Sequence, residues 1–208
     1  ALFFRAGEGG PILFDFDGTL TETPGDGAQR CQKTVELCER APLLAPRLRA
    51  LHEAGLVLGI ISKSSKATVD AALQEARLAE YFTGPVLGKA VGFEGKAGFI
   101  ADLVEVGELR DLGILGNSRV LLVDDDVREL ERARARGIQT YAAPATGGLQ
   151  EADFDALFEH LGLEMRDPQA LTPLTPKTPS SACSRKAPSQ HDGRPCRPHW
   201  GGLRRMRT

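Results

Sequence analysis

The sequence predicts an α/β protein built on a Rossmann-like open parallel sheet with helices on both faces. Three observations carry that prediction. Residues 11–16, 56–61 and 119–123 form short, almost continuously apolar runs, the pattern of strands buried on both faces. The stretches between them place apolar residues at helical spacing. Each run also gives way to polar residues: Asp15-Phe16-Asp17, Ser62-Lys63-Ser64-Ser65 and Asp124-Asp125-Asp126.

Taken in order, the first strand (11–16) leads into an irregular stretch to about Pro42. A helix over 45–54 follows, closed by Gly55, a residue suited to the left-handed turn past a helix end. The second strand, 56–61, precedes a helix over 66–79 whose Val69, Ala72, Leu73 and Ala76 make an apolar stripe, read as core. A third strand near 85–88, a helix over 97–106 and the strand 119–123 come next. A helix over 127–136 ends at Gly137, a strand spans 138–142, and a last helix over 153–161 buries Phe154, Leu157, Phe158 and Leu161.

The first strand carries the chemistry. Asp15 and Asp17 lie one residue apart where Gly18 signals that the strand has ended, so both stand at a strand's carboxyl end, the edge at which open α/β sheets bind ligands. Two carboxylates this close repel unless a cation, a shared proton or water relieves them. Magnesium suits such a pair, because it takes hard oxygen ligands and accepts a substrate phosphate as a further one. Phosphoryl chemistry is the first expectation, and a solvated junction with two capping aspartates is the plain alternative. Downstream residues bear on the choice. Ser62 places a hydroxyl at the second strand end, Lys96 stands before a helix, and Asp124 and Asp125 place more acid at another strand end, with Glu129 close behind.

This set, Asp15-Phe16-Asp17-Gly18-Thr19, Ser62, a lysine, then Val123-Asp124-Asp125 with Glu129, resembles the four motifs of the haloacid dehalogenase-like hydrolases over roughly residues 11–163. The resemblance implies a nucleophile at Asp15, forming an aspartyl-phosphate, and a general acid and base at Asp17, which must start protonated. It implies catalytic roles for Ser62, as donor to phosphate oxygens, and for Lys96, which offsets charge around the nucleophile; Lys89 competes for the lysine role. Gly18, Thr19, Ser62 and Lys63 are the expected substrate-binding residues. Mg2+ is the implied cofactor, with Asp125 as principal ligand, Asp124 and Glu129 assisting, Asp15 contributing, and Asp17 adding its backbone carbonyl.

Asp17 favours a phosphoester over a haloacid within that family, since a leaving halide needs no proton. Phosphomutase activity and a non-catalytic binding or regulatory role are the alternatives. A receiver domain uses similar groups in another order, with the acid pair first and the lone aspartate later. About 40 residues separate Asp17 from Ser62, which leaves room for a small cap at most, placed at 22–44. An open site of that kind suits bulky phosphorylated substrates, small or macromolecular, unless a second subunit closes it.

The domain is expected to span 1–164, followed by a Pro/Ser/Arg-rich tail, 165–208, expected to be disordered. That tail holds nine basic and two acidic side chains, a charge of +7; with a chain total of −2, the remainder stands near −9. Its dispersed charge, with only Trp200 available for stacking, gives little support for nucleic-acid binding. Cys183, His191, Cys196 and His199 match no familiar zinc spacing. Four cysteines imply no disulfide framework, and no apolar run approaches the ~18 residues of a membrane span, so an intracellular, cytoplasmic setting is expected.

Overall fold

A computed structural model describes residues 10–25, 28–112 and 114–163. Five strands, β1 (Ile12–Phe14), β2 (Leu58–Ile61), β3 (Val86–Leu87), β4 (Leu121–Asp124) and β5 (Gln139–Ala142), form one sheet in the order β3-β2-β1-β4-β5. Every pairing is parallel, and β1 lies in the middle with Phe14 opposite Ile60 on one side and Val123 on the other. The basic tail lies outside the described residues.

Strand alternation divides the apolar runs between two cores. Ile12, Phe14, Leu58, Ile60, Leu121 and Val123 face one layer, with α1 (Arg30–Glu53), α2 (Lys66–Glu75) and α6 (Glu151–His160). Leu13, Ile61 and Leu122 face the other, with α3 (Gly95–Glu105), α4 (Glu108–Asp111) and α5 (Val127–Ala135). The uninterrupted apolar runs are thus explained by helices on both faces. Gly59 is required by this packing, since a Cβ there would stand 2.7 Å from both Leu13 Cδ2 and the Pro85 carbonyl oxygen.

Two helices depart from the expectation. The stretch 30–44, expected to be irregular, belongs to α1, which runs unbroken through Pro42 and Pro46. Both prolines are exposed, so the carbonyls that lose their helical partners have solvent beside them, while Leu37, Leu44, Leu48 and Leu51 are fully buried beneath. Burial of that stripe outweighs the proline cost. The short α4 was not anticipated, because four residues with one buried apolar side chain, Leu109, give no readable period. The expected helix over 66–79 ends at Glu75, after which Arg77 takes a positive φ of 55°.

Candidate active site

The parallel ladder brings the carboxyl ends of β1 and β4 side by side, and the Asp15 amide continues it by donating to the Val123 carbonyl at 2.8 Å. Asp15 and Asp124 therefore leave adjacent strands at the same edge. Between them stands Lys96, from the first turn of α3, with Nζ 2.7 Å from Asp15 Oδ1 and 2.7 Å from Asp124 Oδ2. Lys96 is only 1% exposed. Lys89, its competitor in the sequence, is exposed on the loop after β3, and the lysine paired with Asp15 is Lys96.

Glu129 sets the position of Lys96. Its Oε2 accepts the Lys96 backbone N–H at 2.8 Å, while its Oε1 lies 3.2 Å from both Lys63 and Arg132. The neighbouring Gly95 has φ +58°, and a Cβ there would collide with the Glu129 carboxylate. Glu129 thus anchors the start of α3; the cluster of possible metal-ligand oxygens contains other acids. Asp15, Asp124 and Asp125 each offer an oxygen within 4.8 Å of the others'.

Asp125 is held by the first motif itself. Thr19 Oγ1 donates to Asp125 Oδ1 at 3.1 Å, and Gly18 turns with φ +81° so close that a Cβ would stand 2.6 Å from Asp125 Oδ2. Thr19 is fully buried, and its side chain orients Asp125.

Asp17 has different company. Its Oδ2 accepts from Ser62 Oγ at 3.1 Å, and Ser62 Oγ in turn accepts the Ser64 amide at 2.9 Å. Capping of α2 falls to Ser65, which accepts from the Thr68 amide, so Ser62 is released from that duty. Asp126 similarly caps α5 through the Arg128 amide at 3.0 Å and pairs with Lys63 at 2.9 Å. Asp17 Oδ1 lies 2.5 Å from Lys33 Nζ, a charge contact out of line for a hydrogen bond.

Lys33 is the residue the sequence reading missed. It belongs to a buried stripe on α1 in which Lys33, Glu36 and Arg40 precede Leu44, Leu48 and Leu51 at spacings of three and four. Glu36 accepts from the amides of Glu22 and Thr23 and from the Thr23 hydroxyl, at 3.1, 3.0 and 2.7 Å. Arg40 donates to the carbonyls of Leu20 and Gly147, at 2.8 and 2.6 Å, and to that of Leu149. Charged residues continuing an apolar stripe were the available signal; the irregular stretch expected to about Pro42 hid it.

A cleft of about 370 Å³ opens over this edge, lined by Asp15, Asp17, Pro24, Gly25, Lys63, Ser64, Lys96, Asp125 and Asp126. Burial, with Asp124 adding to it, pushes the Asp15 carboxyl up to about 8 against the pull of Lys96. Asp124 is also raised, by burial, with Lys96 again opposing. For Lys96, burial favours the neutral form, but the two carboxylates prevail and hold it above the ordinary lysine range. One buried ammonium therefore faces two of the three clustered carboxyl groups. The excess negative charge, and the hard oxygen donors that carry it, fit a divalent cation of the magnesium type.

No protein-family model matches the chain, and neither does any curated protein. Solved structures do. An L-2-haloacid dehalogenase matches at 17% identity with a TM-score of 0.52, over 74% of this chain and 99% of its own. The N-terminal part of a Bacteroides fragilis protein, containing a phosphatase domain and complexed with Mg, matches at 16% identity with a TM-score of 0.50, over 74% of this chain and 40% of its own. Likeness at these identities is a likeness of fold. The chain has the haloacid dehalogenase-like fold, a parallel Rossmann-like sheet with helices on both faces.

Proposed function

We propose that the protein is a magnesium-dependent phosphatase that hydrolyses a phosphomonoester through an aspartyl-phosphate on Asp15. The observation that carries the reading is the placement of Asp15 in the cleft, paired with Lys96 and clustered with Asp124 and Asp125. A nucleophilic carboxylate must be ionised, and burial opposes that here; Lys96 and a cation at the acid cluster both favour it.

In the first step an Asp15 oxygen bonds to phosphorus as the ester P–O bond breaks, and Asp17 gives its proton to the departing oxygen. In the second, Asp17 takes a proton from water, whose oxygen bonds to phosphorus as the Asp15–phosphorus bond breaks, releasing inorganic phosphate. Asp15, Asp124, Asp125 and the Asp17 carbonyl would hold Mg2+, which when bound would supply charge stabilisation for the transferring phosphoryl group. Lys96 neutralises the same charge from the protein side. Ser62 and Lys63 are the donors for phosphoryl oxygens, with Lys63, 44% exposed at the cleft, nearest to solvent. Gly18 and Thr19 serve by shaping the turn and holding Asp125.

We read residues 1–164 as the catalytic domain; of the stretch 22–44 expected to form a small cap, 30–44 lie in α1 with Leu37 and Leu44 buried in the core, so the substrate enters an open cleft. Among the described residues no helix is long and apolar enough to cross a membrane. The presence of Asp17 favours a phosphoester over a halide-bearing substrate, despite the shared fold with a dehalogenase. Hydrolysis of p-nitrophenyl phosphate tests the reading, with Mg2+, with EDTA, and in Asp15→Asn. Turnover lost in the latter two supports it; turnover that survives Asp15→Asn overturns it.

A further inference from the structure

We propose that Lys33 is a positioning residue for Asp17. The inference rests on the phosphatase reading above, in which Asp17 handles the leaving-group and water protons. Lys33 is a buried lysine in the second turn of α1, and three elements of the cleft wall meet at its Nζ: Asp17 Oδ1 at 2.5 Å, Ser64 Oγ at 2.8 Å and the Gly25 carbonyl at 3.1 Å. Ser62 holds the other Asp17 oxygen, and its own oxygen accepts the Ser64 amide. Lys33 and Ser62 therefore grip the two carboxylate oxygens separately and are tied to each other through Ser64.

Lys96 engages Asp15 and Asp124, whereas Lys33 and Ser62 engage Asp17, so the two aspartates of the first motif are held by separate partners. Without Lys33, Asp17 would stand two residues from Asp15 with one hydrogen bond to choose its rotamer. An acid that must meet first an oxygen leaving phosphorus and then a water needs a fixed direction, because proton transfer requires the donor within hydrogen-bond reach. The same helix fixes the loop under Asp17, through Glu36 on 22–23 and Arg40 on Leu20. Lys33 is thus the contact through which a rigid element, otherwise remote from the chemistry, sets the acid.

A role exercised through Asp17 has a signature that a general loss of packing lacks. Departure of a phenolate from phenyl phosphate needs a proton, whereas 2,4-dinitrophenolate leaves without one. The experiment is rapid-mixing measurement of the first turnover with both esters, on wild type, Lys33→Met, Lys33→Arg, Asp17→Asn and the double variant, each with its melting temperature recorded. In Lys33→Met the first-turnover rate should fall at least about tenfold with phenyl phosphate and less than about threefold with the dinitrophenyl ester, with partial rescue in Lys33→Arg. In the Asp17→Asn background Lys33→Met should add little, as for residues acting in series. Equal losses on both esters, or additive losses in the double variant, overturn the proposal while leaving the phosphatase reading intact. Absence of any first turnover in wild type overturns both.

Discussion

Lys96 carries two buried carboxylates on one ammonium, and the balance of charge around it decides what single substitutions do. Lys96→Met should lower stability by about 3–5 kcal/mol, because it leaves Asp15 and Asp124 buried together without a counter-charge. Asp15→Asn should do the opposite in metal-free protein. It leaves Lys96 and Asp124 as a one-to-one pair, so the melting temperature should equal or exceed that of wild type while activity disappears. The pH dependence follows from the sign of the Asp15 shift. Its native value is raised from 3.8 to about 8, so between those values the folded state binds more proton than the unfolded one. Metal-free wild type should accordingly lose stability as pH rises through that window, and Asp15→Asn should flatten the loss. Thermal melts at pH 5, 6.5 and 8 in EDTA would check both statements; a wild-type profile that rises toward pH 8 as steeply as that of the variant would contradict them.

At the scale of elements, α1 does more than close one face of the sheet. Its C-terminal half packs leucines into the core, and its N-terminal half spends buried positions on Lys33, Glu36 and Arg40, which tie down the loop after β1. Burial alone would raise the Glu36 carboxyl, but the Thr23 hydroxyl and amide, then Gln32 and the Glu22 amide, hold it below its ordinary 4.5. A lowered carboxylate contributes stability above its unfolded value and loses it as pH falls through the native one, so this tether should weaken below about pH 4.5. Glu36→Ala should cost about 1–3 kcal/mol and speed amide exchange at Glu22 and Thr23 without altering exchange in β4. Hydrogen exchange read by mass spectrometry would show it. How far this was legible in the sequence is clear from the same helix. Strands β1, β2 and β4 and their terminal residues could be read directly, because a strand buried on both faces writes its burial as an unbroken apolar run. Lys33 could not, since proline argues against a helix interior and a charged residue ordinarily reads as solvated. Both rules hold for isolated segments, and here tertiary burial overrides them: exposed prolines cost little beside four buried leucines, and a buried lysine is satisfied when a carboxylate from another element meets it. The sequence favoured Lys96 over Lys89 for its place at a helix start but left both open, for a related reason. Which lysine meets Asp15 depends on Glu129, thirty-three residues further on, holding the start of α3.

The whole molecule places its acids on one sheet edge, and the cation they fit should be visible in its global stability. Mg2+ binding to the folded form alone should raise the melting temperature progressively with concentration, by about 2.7 kcal/mol of stability at a hundredfold excess over Kd. Asp125→Asn should blunt that response, and scanning calorimetry with MgCl2 against matched NaCl would separate it from ionic strength. The strand order has a consequence in time as well. β1 is the central strand, yet its neighbours are residues 58–61 and 121–124, so the strand made earliest receives its second partner only after most of the domain has been synthesised. Until β4 emerges from the ribosome, Phe14 and its neighbours present an open apolar edge of the kind that recruits other chains. During that interval Asp15 has neither Lys96 in place nor Asp124 beside it. A nascent chain therefore carries Asp15 without the partners that surround it in the folded protein, and its apolar edge lies open before the acid cluster can assemble.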